Sequence, residues 1–241
     1  SEIAREPNPN RLLRGFERSA MTINFVRALI DGGFADLHHP EYWDLGFVEH
    51  SPKAGEYQAI IASIAESLRF METLSGESIG AINRVEFFTS HEGLHLHYEQ
   101  AQTRQVPRRD GWYDLSCHFP WIGARTTDLD GGHIEFFRGI ANPIGVKIGT
   151  HEVEIEKLLD VLHHDNEPGR LTLIHRYGEK KVAHELPKLI EAVQATGKQV
   201  LFICDPMHGN TQRTASGIKT RSFDSILSEL EQSIDIHKNM G

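Results

Sequence analysis

Six side chains stand at places where chemistry on an anion could be done. His91 and Glu92 follow VEFFTS, Arg125 follows PWIGA, Lys147 lies inside IGVKIG, Arg176 follows LTLIH, and His208 follows ICDPM. Each ends or interrupts an apolar run. Two arginines and a lysine at three successive runs suit a multiply charged anion, because a guanidinium grips carboxylate or phosphate through paired hydrogen bonds. Taken singly, an arginine there reads equally as half of a surface ion pair. An ammonium within an apolar strand is costly unless an anionic ligand or a carboxylate meets it, so Lys147 needs one of these. A Schiff-base lysine with a depressed pKa is the competing chemistry. His208 sits between Met207 and Gly209, directly beyond a buried run. It is placed either to ligate a metal or move a proton, or simply to cap the next turn.

Such groups work together only if the elements bring them to one place. Apolar runs at Val85–Thr89, Asp114–Ile122, Ile144–Ile148, Leu171–His175 and Val200–Cys204 read as strands. Helical spacing separates the later ones, over Glu152–His163 and Lys181–Ala195, and Ser222–Asn239 follows the last. Strand and helix alternating in this way predict parallel βαβ units, and continuously apolar runs such as VLFIC predict strands covered on both faces. Neither GxGxxG nor GxxxxGK[ST] occurs, which disfavours a doubly wound nucleotide-binding sheet. The expected fold class is therefore α/β, a (β/α)8 TIM barrel, whose ligands collect at the carboxyl ends of the strands. Residues 1–80 read as a helical segment, with one helix stopped at Gly32-Gly33 and another from about Ala54 to Leu74. Residues 81–241 read as barrel.

Composition narrows the partners. The 241 residues are 39% hydrophobic and 24% charged, with a net charge of −9 and no basic stripe, so nucleic acid is not an expected partner. No apolar run reaches the roughly 20 residues of a membrane span, so no membrane partner is expected either. Two cysteines, Cys117 and Cys204, give no disulfide framework, and a reducing cytoplasm is the expected compartment. Fifteen histidines are present, and pairs such as His38-His39 and His163-His164 in polar stretches are expected to be solvated. His95 and His97 are expected at the start of a solvated helix rather than on a metal.

Longer blocks carry a resemblance. EFFTSHEGLHLHYE (86–99), WYDLSCHFPWIGARTTDLDGGHIEFFRGIANPIGVKIG (112–149), NEPGRLTLIHRYG (166–178), CDPMHGNT (204–211) and GIKTRSFDSI (217–226) stand in order along the chain. Together they resemble the class II 3-deoxy-D-arabino-heptulosonate 7-phosphate synthases. The resemblance covers nearly the whole chain and implies strands three to seven of the barrel, with the helices that precede them. It implies that Ala124, Arg125, Lys147 and Arg176 line a phosphoenolpyruvate site. It further implies that Lys147 and His208 are catalytic and that His208 is a ligand of a divalent metal ion such as Mn2+ or Co2+. The implied partners are phosphoenolpyruvate, erythrose 4-phosphate and further copies of the chain in a homo-oligomer.

Two departures qualify this. The family commonly reads W-I-G-E-R-T-R where this chain has WIGARTT, so Ala124 replaces a glutamate of the pocket and Thr127 an arginine. The family's other metal ligands, a cysteine on the first strand, a glutamate on the eighth and an aspartate beyond it, have no counterpart. With Ser1 at one end and Gly241 straight after a helical pattern, the expectation is a fragment that is unstable and inactive by itself. A copy serving a secondary, phenazine-type pathway, a degenerate non-catalytic homologue and a Schiff-base aldolase using Lys147 remain as alternatives.

Overall fold

The computed structural model describes residue 6 and residues 8–32, 46–76, 86–149 and 153–241. The chain divides into two compact units, Ser1–Phe87 and Phe88–Gly241. In the first, α1 (Pro9–Asp31) begins where Asn8 accepts a hydrogen bond from the Asn10 amide at 3.0 Å and Pro9 takes the first helical position. A 3-10 turn at Gly46–Val48 precedes α2 (Ala54–Ser75). Gly76, at φ 69°, adopts the left-handed conformation that ends α2. Leu13, Phe25, Ile60 and Met71 on these helices are exposed.

The second unit opens with β1 (Ser90–Glu92), α3 (Leu96–Gln102) and a small antiparallel pair, β2 (Thr103–Arg104) with β3 (Tyr113–Asp114). Next come β4 (Phe119–Ile122), α4 (Gly132–Arg138), β5 (Ile144–Ile148), α5 (Ile155–Leu162), β6 (Leu171–His175), α6 (Val182–Thr196) and β7 (Leu201–Cys204). An exposed hairpin, β8 (Gln212–Arg213) with β9 (Lys219–Thr220), leads into α7 (Phe223–Met240). Five strands form one parallel sheet in the order β1-β4-β5-β6-β7. The order follows the sequence without the reversal of a doubly wound sheet, as in part of a (β/α)8 barrel.

Strand alternation divides the sheet into two faces. Ile122, Val146, Ile148, Leu171 and Leu173 turn to the helices and are buried with Ile134, Phe137, Leu158, Leu159, Leu186 and Ile190. On the other face the register aligns Trp121 with Gly145 and Lys147 with Ile174. A Cβ on Gly145 would lie 2.8 Å from Ile174 and 3.0 Å from Phe119 and Trp121, so only glycine fits there.

Several expectations need correction. Of the run Val85–Thr89, residues 86–89 form no strand, and Val85 lies outside the described residues. The Thr89 amide donates to His118 Nδ1, while the Thr89 carbonyl accepts from the His118 and Phe119 amides, so ladder pairing begins only at Ser90. The run Asp114–Ile122 is two strands in different sheets. Asp114 turns the chain between them by accepting the Ser116 amide on its own carboxylate, while Asn142 binds the Asp114 amide and carbonyl. His163 is buried rather than solvated, and its Nε2 bonds the Gln199 carbonyl at 2.7 Å. His38 and His39, and Glu152 at the expected start of α5, lie outside the described residues. Among the described residues no helix is long and apolar enough to cross a membrane.

Candidate active site

The carboxyl ends of β5, β6 and β7 meet around one carboxylate. Asp205, the first residue after β7, receives a hydrogen bond from Lys147 Nζ at 2.8 Å, with both side chains largely buried. It also accepts from His208 Nδ1, at 2.7 and 2.9 Å to its two oxygens, and from the backbone amides of Met207 and His208. Burial alone would raise this carboxyl. The hydrogen bonds from Lys147 and His208 outweigh it and hold Asp205 at about 2. Lys147 thus finds the carboxylate its apolar strand requires, and its ammonium lies 5.3 Å from the centre of the Trp121 ring.

An ionised carboxylate only accepts, so His208 Nδ1 carries the hydrogen, and in the neutral ring Nε2 is the nitrogen with the lone pair. A carboxylate holding one ring nitrogen while the other stays available is the usual arrangement behind a metal-binding histidine. His208 is about half exposed, as an incoming ligand requires. It is one oriented donor: among the described residues, no group of three potential ligands includes it.

Arg176 follows β6 directly. Its Nη2 donates to the His208 carbonyl at 2.8 Å, while its buried Nε has no partner among the described residues. The two loops beyond β6 and β7 approach so closely that a Cβ on Gly209 would sit 2.3 Å from the Gly178 nitrogen, and Gly178 itself has φ 86°. This contact of backbone with backbone fixes Arg176 beside His208. Ala124 and Arg176 both border the space over Gly149, where an added Cβ would lie 3.9 Å from Ala124 Cβ and 3.6 Å from Arg176 Nη1. Arg125 is exposed and forms no hydrogen bond or ion pair among the described residues.

Lys147, Arg176 and His208 are therefore joined through Asp205 and the loop after β7, with Ala124 beside Arg176 and, among the described residues, Arg125 outside this network. Glu92 lies on the same sheet face, its carboxylate filling the space over Gly123. His91 does not join the rim. It turns to the helix side, where Nε2 lies 2.9 Å from Glu99 of α3 and 3.3 Å from Ser116. Hydrogen bonds with Cys117 and Glu99 push His91 up to about 10.

Sequence reasoning missed Asp205 as the group that organises this site, and Trp121 as the platform under Lys147. A carboxylate directly after an apolar strand and three residues before a histidine was the available signal for Asp205.

The model of the family described as the Class-II DAHP synthetase family matches residues 1–241. A Neurospora crassa protein named phospho-2-dehydro-3-deoxyheptonate aldolase is 45% identical over 252 aligned residues, 97% of this chain and 52% of the relative. A Streptomyces coelicolor protein of the same name is 45% identical over 243 residues, 100% of this chain and 54% of the relative. The chain spans about half the length of these curated relatives.

Proposed function

The chain belongs to the class-II DAHP synthetase family, and from that premise we propose that the full-length protein is a 3-deoxy-7-phosphoheptulonate synthase, the first step of the shikimate pathway. It condenses phosphoenolpyruvate with erythrose 4-phosphate: the phosphoenolpyruvate methylene carbon attacks the aldehyde, water adds to the resulting cation, and phosphate leaves. The protein works in the cytoplasm as a homo-oligomer.

The observation that supports this reading best is the group of cations above one end of a parallel sheet. Arg176 Nη1, the exposed Arg125 guanidinium and the two remaining donors of the Lys147 ammonium offer a carboxylate and a phosphate more hydrogen bonds than either could find singly. Lys147 and Arg176 are held in place before the substrate arrives, which lowers the cost of ordering them. Ala124 leaves room beside Arg176 where the family's glutamate would stand. His208 presents Nε2 to a divalent ion such as Mn2+ or Co2+, and Asp205 fixes its ring. When bound, such an ion supplies Lewis-acid polarisation of the erythrose 4-phosphate aldehyde. The ion pair with Asp205 favours an anion-binding role for Lys147, as an ammonium, over that of a neutral Schiff-base nucleophile.

The test follows phosphoenolpyruvate loss and phosphate release by the full-length gene product. Both are expected to require erythrose 4-phosphate, to stop on EDTA treatment and to return with Mn2+ or Co2+. Borohydride in the presence of substrate is expected to leave Lys147 unlabelled. Turnover indifferent to chelator, or labelling of Lys147, would replace this mechanism with a Schiff-base one, and no turnover with any divalent ion would refute the synthase reading.

A further inference from the structure

On the opposite face of the same strands, His175 of β6 and Cys204 of β7 stand side by side in register. Alternation turns them away from Arg176 and Asp205 and toward α7. Glu229, Ser233 and His237 recur every fourth residue along α7 and form the stripe that covers them. The Ser233 hydroxyl lies 3.5 Å from Cys204 Sγ, and the His237 ring is centred 5.8 Å from that of His175. A His175 nitrogen, Cys204 Sγ and a Glu229 carboxylate oxygen all lie within 4.8 Å of one another.

One feature of this cluster lacks an account in the fold. His175 is 1% exposed, yet neither ring nitrogen has a hydrogen-bond partner among the described residues. A buried polar ring left in that condition is costly. Burial also lowers its pKa to about 4, leaving the neutral ring that metals bind. Glu229 is fully buried as well. Its Oε1 accepts the Tyr177 and Gly178 amides at 3.0 and 2.8 Å, and its Oε2 accepts Asn210 Nδ2 at 2.7 Å. A carboxylate has about four acceptor positions. Three are taken, and the one remaining is on Oε2.

We propose that His175, Cys204 and Glu229 form a metal site distinct from the one at His208, taking a thiolate-seeking divalent ion, Zn2+, through the imidazole, the Cys204 sulfur and Glu229 Oε2. On binding, the Cys204 thiol gives its proton to solvent and the sulfur bonds the metal. Thiolate and carboxylate together carry two negative charges, so the loaded centre is neutral and its burial strands no charge. A donor set of nitrogen, sulfur and oxygen suits zinc, whereas Mg2+ and Ca2+ take oxygen ligands. With His175 and Glu229 buried, the role we assign to the ion is structural. The ion ties α7 to β6 and β7 and fixes the Tyr177-Gly178 turn beside Arg176.

The test uses the full-length gene product carrying His208→Ala, which removes the proposed ligand at the rim. Purified without chelator, it is expected to retain about one equivalent of zinc by mass spectrometry. After exchange into Co2+ it should show a near-ultraviolet thiolate-to-cobalt absorption. Adding Cys204→Ser, or separately His175→Gln, should lower bound zinc at least tenfold, and Cys204→Ser should erase the absorption. Circular dichroism reports whether these variants fold. Zinc-edge X-ray absorption on the His208→Ala protein needs no further variant: one sulfur at about 2.3 Å among nitrogen and oxygen neighbours is expected. Absence of tightly held zinc, a shell without sulfur or made only of sulfur, or unchanged zinc in folded Cys204→Ser or His175→Gln protein would each overturn the proposal.

Discussion

Asp205 illustrates how much of the candidate site depends on one carboxylate. It holds Lys147 and His208 at once and accepts two backbone amides. Asp205→Asn removes the charge partner of a largely buried ammonium, which should destabilise the protein by about 1–3 kcal/mol in urea unfolding. It should also weaken metal affinity, because the His208 ring loses the group that orients it. Stability and metal affinity both equal to wild type would mean that Asp205 organises nothing. Lys147→Ala and Arg176→Ala each remove a charge-assisted contact to the proposed substrate, about 1.5–3 kcal/mol. Steady-state kinetics of the full-length enzyme should then show kcat/KM for phosphoenolpyruvate reduced roughly tenfold to a hundredfold, and retention of the wild-type value in both would dismantle the anion clamp. Ala124→Glu introduces a carboxylate beside Arg176, where Ala124 Cβ borders the same space over Gly149. Tighter phosphoenolpyruvate binding or higher activity is expected, and unchanged kinetics would show the position to be neutral. At this scale residue type and place in the chain were legible: an Arg, a Lys or a His beside an apolar run announces itself. Partnership was not. Nothing in the sequence says that Lys147 meets Asp205, 58 residues away, because the parallel register decides it.

The elements were legible where one periodicity runs unbroken. β5 and β6 have the bounds their apolar runs gave, and α2 and α6 agree within a residue or so, because a single periodicity runs the length of each. The reading failed at Asp114–Ile122, where Asp114 and Asn142 turn the backbone out of one sheet and into another. No periodicity encodes a side chain that caps its own turn. The same turn buries two carboxyl groups together. Burial, then Glu99, pushes Asp114 up to about 6. Burial would raise Glu99 too, but hydrogen bonds from His91, Ser116 and Asp114 bring it below its ordinary value. Asp114 is therefore the member that keeps the proton, and Glu99 Oε2 and Asp114 Oδ2, which lack any other partner among the described residues, can share it. The sign follows from linkage: a raised folded pKa gives stability that is complete below about pH 4 and is lost as pH rises through about 6. Asp114→Asn cannot ionise and still offers an oxygen to the Ser116 amide. Its stability should fall less between pH 4 and pH 7, by on the order of 2 kcal/mol. Urea unfolding across that range checks this, and parallel pH profiles for the two proteins would show that Asp114 does not titrate there.

For the whole molecule, a sheet in sequential order explains both what is packed and what is left open. The helix-facing side is filled by aliphatic residues from β4, β5 and β6 and from the helices above them. The other face is less evenly covered: Ile174 is 6% exposed, whereas Leu201 and Ile203 on β7 are 57% and 44% exposed. Among the described residues β7 pairs only with β6, so its outer edge also presents unpaired backbone groups. An apolar strand face beside a free edge is a template for association with another chain. That yields an expectation for the 241 residues studied as a separate polypeptide. They should bind the dye ANS and associate increasingly with concentration in light scattering coupled to gel filtration. The double variant Leu201→Lys, Ile203→Glu should lower both signals, because charges on that face oppose strand addition. Its effect on the helix-side core should be small, since Leu201 and Ile203 belong to the opposite face and Phe202 packs against the core. The choice of β7 is specific: α1 and α2 also expose apolar residues, including Phe25 and Ile60, and either could drive association instead. Phe25→Lys with Ile60→Lys is the control. If it abolishes association while the β7 variant leaves it intact, the adhesive surface lies on the helices and the edge-strand argument fails.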